Sequence, residues 1–171
     1  MKTPEGMDTR PTTDRIKETL FNMLQPYLPD CIFLDLFSGS GQIGIEALSR
    51  GARHAYFVEN GAKAFACIQQ NVKFTGLEDK AVLIRQDALG ALAAVHEKEA
   101  DIIFLDPPYG MGYEEKMLRA LAKMPYVTGD SLIVTEAALG QDFSFVQELG
   151  YRVEKTKNYK TNKHVFIKRQ V

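Results

Sequence analysis

The chain has 171 residues, 45% of them hydrophobic and 25% charged, and a formal net charge of −1 at pH 7. This composition fits an ordinary globular protein and excludes one that coats nucleic acid through bulk positive charge. No apolar run approaches the roughly 18 residues of a membrane span, and the polar start Met1-Lys2-Thr3-Pro4-Glu5-Gly6 lacks a signal peptide's apolar core, so a cytoplasmic location is expected.

Residues 1–9 contain Pro4 and Gly6 and are expected to be irregular. Residues 10–28 read as a helical segment. Thr12 or Thr13 can cap it, Ile16, Leu20, Phe21 and Leu24 recur at helical spacing, and Pro26 and Pro29 end it. From residue 31 a strand–helix alternation begins. Strands are expected at 31–35, 54–59, 81–86, 101–105 and 131–135, each followed by a helix, at 43–50, 62–75, 88–97, 113–123 and 141–149. The rhythm predicts parallel strands with helices on both faces, because each crossover returns to the same sheet edge. Tyr151-Arg152-Val153 and His164-Val165-Phe166-Ile167 leave no room for a helix between them and should form an antiparallel edge hairpin. One domain over 1–171 is expected, long enough to bury about 70% of the surface of its unfolded chain.

The chain turns on Asp35-Leu36-Phe37-Ser38-Gly39-Ser40-Gly41-Gln42-Ile43-Gly44, where an apolar strand stops at an acid, passes a glycine loop and enters a helix. Gly39, Gly41 and Gly44 allow a tight turn, close approach of backbone to a ligand, and close helix–strand contact. Three more predicted strands finish at or beside a carboxylate: Glu59, Asp87 and Asp106. In an open α/β sheet these ends share one rim, where ligands bind. Glu59 suits a ribose diol, and Asp87 with the Ala88 N–H suits adenine. Asp35 beneath the glycine loop would repel a pyrophosphate and attract an ammonium. A zwitterionic amino acid joined to adenosine fits that placement, and the ligand implied is S-adenosylmethionine.

Asp106-Pro107-Pro108-Tyr109 is the most specific feature. Two prolines fix φ and remove two donors, so the turn presents acceptors. The Asp106 carboxylate and the Pro107 carbonyl can accept both protons of an exocyclic amine, and Tyr109 can stack on an extruded base. Cys31 and Cys67 fit neither a disulfide framework nor a metal site and read as buried thiols. No metal is expected, and His54, His96 and His164 read as structural or solvated. Between Arg152 and Arg169 seven cations face the single acid Glu154. They could meet phosphates, or they could guard an edge hairpin against aggregation.

Arg10-Pro11-Thr12-Thr13-Asp14-Arg15, Glu18-Thr19-Leu20-Phe21-Asn22, the glycine loop, Ala47-Leu48-Ser49-Arg50-Gly51-Ala52 and Asp106-Pro107-Pro108-Tyr109 together resemble the bacterial RsmD family across nearly the whole chain. That family methylates the exocyclic N2 of a guanine in small-subunit ribosomal RNA. The resemblance implies a Rossmann-like class I S-adenosylmethionine-dependent methyltransferase fold, with a seven-stranded, mostly parallel sheet whose last strand is antiparallel. It implies that Asp35, Gly39 and Gly41 hold the methionine part, with Phe37 among the cofactor-binding residues. Glu59 would hold the ribose, and Asp87 and Ala88 the adenine. Asp106, Pro107 and Tyr109 would handle the target base. Arg10, Thr12 and Arg15 would lie near the RNA, on a helix that closes over the cofactor. The partner implied is ribosomal RNA within the small subunit or its assembly intermediate. The resemblance also implies a basic strand or hairpin ahead of Arg10, where this chain has nine residues.

The loop grips an amine rather than a named base. Adenine N6 in DNA or RNA, a protein glutamine, or a non-catalytic RNA-binding relic therefore stand as alternatives at this stage.

Overall fold

The computed structural model describes residues 11–170, with side chains from residue 14 onward. Five strands, β1 (Ile32–Asp35), β2 (His54–Val58), β3 (Ala81–Ile84), β4 (Ile102–Leu105) and β5 (Leu132–Ala138), pair in parallel. A hairpin of β6 (Tyr151–Asn158) and β7 (Asn162–Arg169) completes a seven-stranded sheet of order β3-β2-β1-β4-β5-β7-β6. β7 runs antiparallel to both its neighbours. The helices are α1 (Pro11–Leu24), α2 (Gln42–Ser49), α3 (Ala62–Thr75), α4 (Ala88–Ala91) and α5 (Tyr113–Leu121).

Every residue of β1 and β4 is buried, as strands covered on both faces require. Successive side chains point to opposite faces, so one core divides into two layers. Phe33, Phe57 and Phe104 meet Leu20 and Phe21 of α1, Ile45 of α2 and Ile68 of α3. Leu34, Ile103 and Leu105 meet Leu92, Met117, Leu118 and Leu121 on the other side. The strand order reverses between β1 and β4, which opens a crevice at the carboxyl ends of both strands.

Four boundaries differ from the sequence reading. Helix α1 is described from Pro11, so Thr12 and Thr13 lie within the helix and not ahead of it. The helix expected at 88–97 is only α4 plus a 3-10 turn over Leu92–Ala94. The buried Tyr126 hydroxyl donates to the Leu92 carbonyl at 2.7 Å and so takes an acceptor that a longer helix would use. The helix expected at 141–149 is a 3-10 helix, Ser144–Leu149. Asp142 holds the Ser144 N–H at 3.2 Å just ahead of it. The hairpin strands are longer than expected, because Lys163 and Asn162 pair with Ala137 and Ala138 of an extended β5. Strand β6 is an edge whose residues after Tyr151 are all exposed, so its polar side chains masked it. Among the described residues no helix is long and apolar enough to cross a membrane.

Candidate active site

The chain leaves β1 at Asp35 and reaches α2 through Leu36–Gly41. The turn is closed by the Gly41 N–H donating to the Ser38 carbonyl at 2.8 Å, and the Ser38 N–H ties it to the Val58 carbonyl of β2 at 2.9 Å. Gly41 has a φ of 86°, a left-handed conformation that a side chain would strain. Any Cβ at Gly44 would overlap the Phe57 ring, so α2 sits on β2 at a distance only glycine permits. From the next strand end, Glu59 returns to this loop. Its Oε1 accepts the Gly39 N–H at 2.9 Å and its Oε2 the Gly61 N–H at 2.8 Å. A carboxylate has about four lone-pair sites, so both oxygens can still accept from a ligand.

Two cavities flank Phe37, which lines both. The first is bounded by Glu59, Asn60, Gln86, Asp87, Ala88 and Tyr113. The Tyr113 ring stands edge-on to Phe37 with centroids 5.8 Å apart, and Asp87 caps α4 by accepting the Gly90 N–H at 3.1 Å. The second takes Gly39, Gln42 and Ile43 from the loop and Ile16, Lys17 and Leu20 from α1. Its far wall is Phe104, Asp106, Glu136 and His164. Helix α1 is fastened above the loop, with Leu20, Phe21 and Leu24 wholly buried. Ion pairs hold it to α2: Lys17 to Glu46 at 3.5 Å, and Arg50 to both Glu46 (2.9 Å) and Glu18 (3.2 Å).

Asp35 lines neither cavity. It is 1% exposed, and neither carboxylate oxygen has a hydrogen-bond partner of good geometry. Burial pushes its carboxyl up to about 7, against the pull of the Gly44 N–H and the Ser38 hydroxyl; the Glu59 charge adds to the rise and the Phe37 N–H opposes it. Asp106 begins the Asp-Pro-Pro-Tyr turn at the end of β4. Loss of solvation, then the adjacent Glu136 carboxyl and the Asp35 charge, push its carboxyl well above the usual range. More than a third of Asp106 remains open to solvent, so crowding by Glu136 is the firmer of these causes. Tyr109 is 48% exposed and lines neither cavity. Loss of solvation, then Glu136, Asp106 and Glu114, push its hydroxyl up to about 12.

The structure thus brings Phe37, Glu59, Asp87 and Ala88 around one cavity and Phe37, Gly39 and Asp106 around the other. Asp35 lies buried beneath, Pro107 is buried behind Asp106, and Arg15 is exposed on α1. Arg10 and the side chain of Thr12 lie outside the described residues. Cys31 is buried and Cys67 half-buried, both as free thiols, and neither touches the cavities. Among the described residues no group of three or more His, Cys, Asp and Glu side chains could hold a metal ion.

Sequence reasoning missed Tyr113, Glu136 and His164. Glu136 carried a legible signal, because it is one more carboxylate at the end of a predicted strand. His164 carried none. It is 1% exposed and reaches the cavity only through the antiparallel register that sets it opposite Glu136.

Known proteins resemble this chain over most of its length. A family model described as conserved hypothetical protein 95 matches residues 1–168. YlbH of Bacillus subtilis (strain 168) is 42% identical over 138 residues, covering 80% of this chain and 75% of that protein. The ribosomal RNA small subunit methyltransferase D of Escherichia coli (strain K12) is 35% identical over 134 residues, covering 78% of this chain and 67% of that one. Among solved structures, yhhF from Escherichia coli superposes with a TM-score of 0.82 at 29% identity, covering 98% of this chain and 90% of that chain.

Proposed function

This chain belongs to the RsmD family of methyltransferases, and from that premise we propose that it places a methyl group on the exocyclic N2 of a guanine in small-subunit ribosomal RNA. The family's cofactor is S-adenosylmethionine, and the residues present fit it. Glu59 offers acceptors to a ribose diol, and Asp87 and Ala88 line the same cavity as the Phe37 and Tyr113 rings, where an adenine would sit. The glycine loop leaves room for an amino acid, and the buried, unpartnered Asp35 supplies a negative charge beneath it when ionised. A sulfonium held there supplies an electrophilic methyl group.

The chain's own residues do the rest. Asp106 and the Pro107 carbonyl accept the two amine protons, which orients the nitrogen lone pair toward the methyl and favours a pyramidal nitrogen. Asp106 stabilises the positive charge that grows on that nitrogen as the N–C bond forms. Tyr109 gives the base a stacking face. Ile16, Lys17 and Leu20 wall the cavity from the α1 side and exclude water from the reacting atoms. Arg15, with Arg10 and Thr12 ahead of it in the chain, would meet the RNA.

The observation that carries this reading is the Asp-Pro-Pro-Tyr acid facing the same cavity as the glycine loop. The test is incubation with methyl-tritiated cofactor and small ribosomal subunits from a strain lacking the activity, then nucleoside digestion and mapping. N2-methylguanosine at one position is expected. Label in N6-methyladenosine or in protein glutamine, or no label after a single turnover, would overturn the assignment.

A further inference from the structure

The cavity contains an acid that amine methylation by Asp106 does not use. Leu105 is in register with Thr135, so Asp106 and Glu136, one residue beyond each, emerge side by side at the same rim. Both side chains line the same cavity, and the Glu136 charge is among the causes that push the Asp106 carboxyl up. Strand β7 runs antiparallel and sets His164 opposite Glu136. The His164 ring is buried, with Nε2 3.0 Å from Glu136 Oε1 and Nδ1 3.2 Å from the Tyr159 hydroxyl. The Phe104 ring stands edge-on to it with centroids 6.0 Å apart. Glu136 is therefore held in one orientation from behind while its carboxyl faces the cavity that Asp106 faces.

We propose that Glu136, braced by His164 and Tyr159, accepts the N1–H of the target base and so selects guanine over adenine. This rests on the methyltransferase reading above and deepens it. Guanine presents a fan of donors on its pairing edge, the N2 amine and the adjacent N1–H. Asp106 and the Pro107 carbonyl match the amine, and a second acceptor beside them matches N1–H. Adenine places an acceptor, N1, next to its amine, and a glutamine side chain places its carbonyl there. Either would set a lone pair against the Glu136 carboxylate and leave that acid unpaired in the cavity, which is how a polar site rejects an analogue. Glu136 is thus a specificity residue, and His164 and Tyr159 are positioning residues that act through it.

The test uses small ribosomal subunits reconstituted with RNA carrying either guanosine or 2-aminopurine at the mapped target. 2-Aminopurine keeps the 2-amine but has a lone pair at N1. The unaltered enzyme should favour guanosine by about tenfold to a hundredfold in kcat/KM, the discrimination typical of one good base-edge contact. In Glu136→Gln the ratio should collapse toward unity, mainly through a lower rate on guanosine. Cofactor affinity by calorimetry should stay within about twofold, which checks the fold, because the adenosine cavity does not include Glu136. His164→Gln should shrink the ratio in the same direction, and an unshrunk ratio would remove His164 as the brace. An equal ratio in the unaltered enzyme and Glu136→Gln, or an unaltered enzyme indifferent to the two bases, would overturn the assignment of Glu136 while leaving guanine methylation standing. An unaltered enzyme that fails on guanosine-bearing subunits would overturn the methyltransferase reading itself, and this inference with it.

Discussion

On the proposed mechanism, replacing Asp106 with alanine would remove one of two acceptors from the amine and leave the cavity of Glu59 and Asp87 untouched, since that cavity does not include it. Turnover in single-turnover assays should fall by about 10²–10³, as for loss of one transition-state partner, with cofactor binding retained. Equal turnover would remove Asp106 from the mechanism. The same residue shows what a single position can reveal in a sequence. Asp106-Pro107-Pro108-Tyr109 announces an acceptor-rich turn because prolines cannot donate. Nothing in it announces that a second carboxyl stands against the first, since Glu136 lies 30 residues away in the chain.

Helix α2 owes its seat on β2 to Gly44. A methyl group at that position would enter the space of the Phe57 ring, so Gly44→Ala should cost about 1–3 kcal/mol of stability through overpacking. Denaturant titration would measure this, and a stability unchanged within error would show that α2 can slide. The hairpin makes a different prediction. Directly paired residues share a sheet face. Lys155 lies opposite Phe166, on the α1 side of the sheet, and Lys157 lies opposite His164 at the second cavity. Both lysines are exposed, and they extend a positive track from the cavity mouth. Lys155→Glu with Lys157→Glu should weaken RNA binding and lower the slope of log affinity against log salt by about 1–2, one for each phosphate left without its lysine. An unchanged slope would place the phosphates elsewhere and leave the lysines as guards of an edge strand.

For the whole molecule, the proposed placement of the buried Asp35 beneath the cofactor would couple stability to cofactor binding. Its folded pKa of about 7 lies above the ordinary value of 3.8. Between those values the native state keeps a proton that the unfolded state has released, so stability falls as pH rises through the window and levels off above 7. The swing is on the order of 4 kcal/mol. Asp35→Asn should flatten it, as thermal melts from pH 4 to 8 would show. Cofactor binding should follow the opposite course. A positive ligand favours the ionised acid, so calorimetric affinity should rise through pH 7 in the unaltered protein. In Asp35→Asn that rise should be reduced. Matching pH profiles for the two proteins would exclude Asp35 as the source.

Periodicity and strand-end chemistry, both local, sufficed for the parallel sheet, the helices on both faces, the glycine loop and the row of acids at 35, 59, 87 and 106. A carboxylate at the end of an apolar run marks a strand end in the sequence itself, even where, as at Asp35, that end lies buried. Where interactions are distant, the chain was silent. The 88–97 helix is cut short by a hydroxyl from Tyr126, β5 is lengthened by its partner β7, and the polar edge strand β6 conceals its own period. The far wall of the second cavity was decided by tertiary structure alone. Glu136 and His164 belong to different strands, and only the reversed register of β7 brings a buried imidazole to bear on that acid.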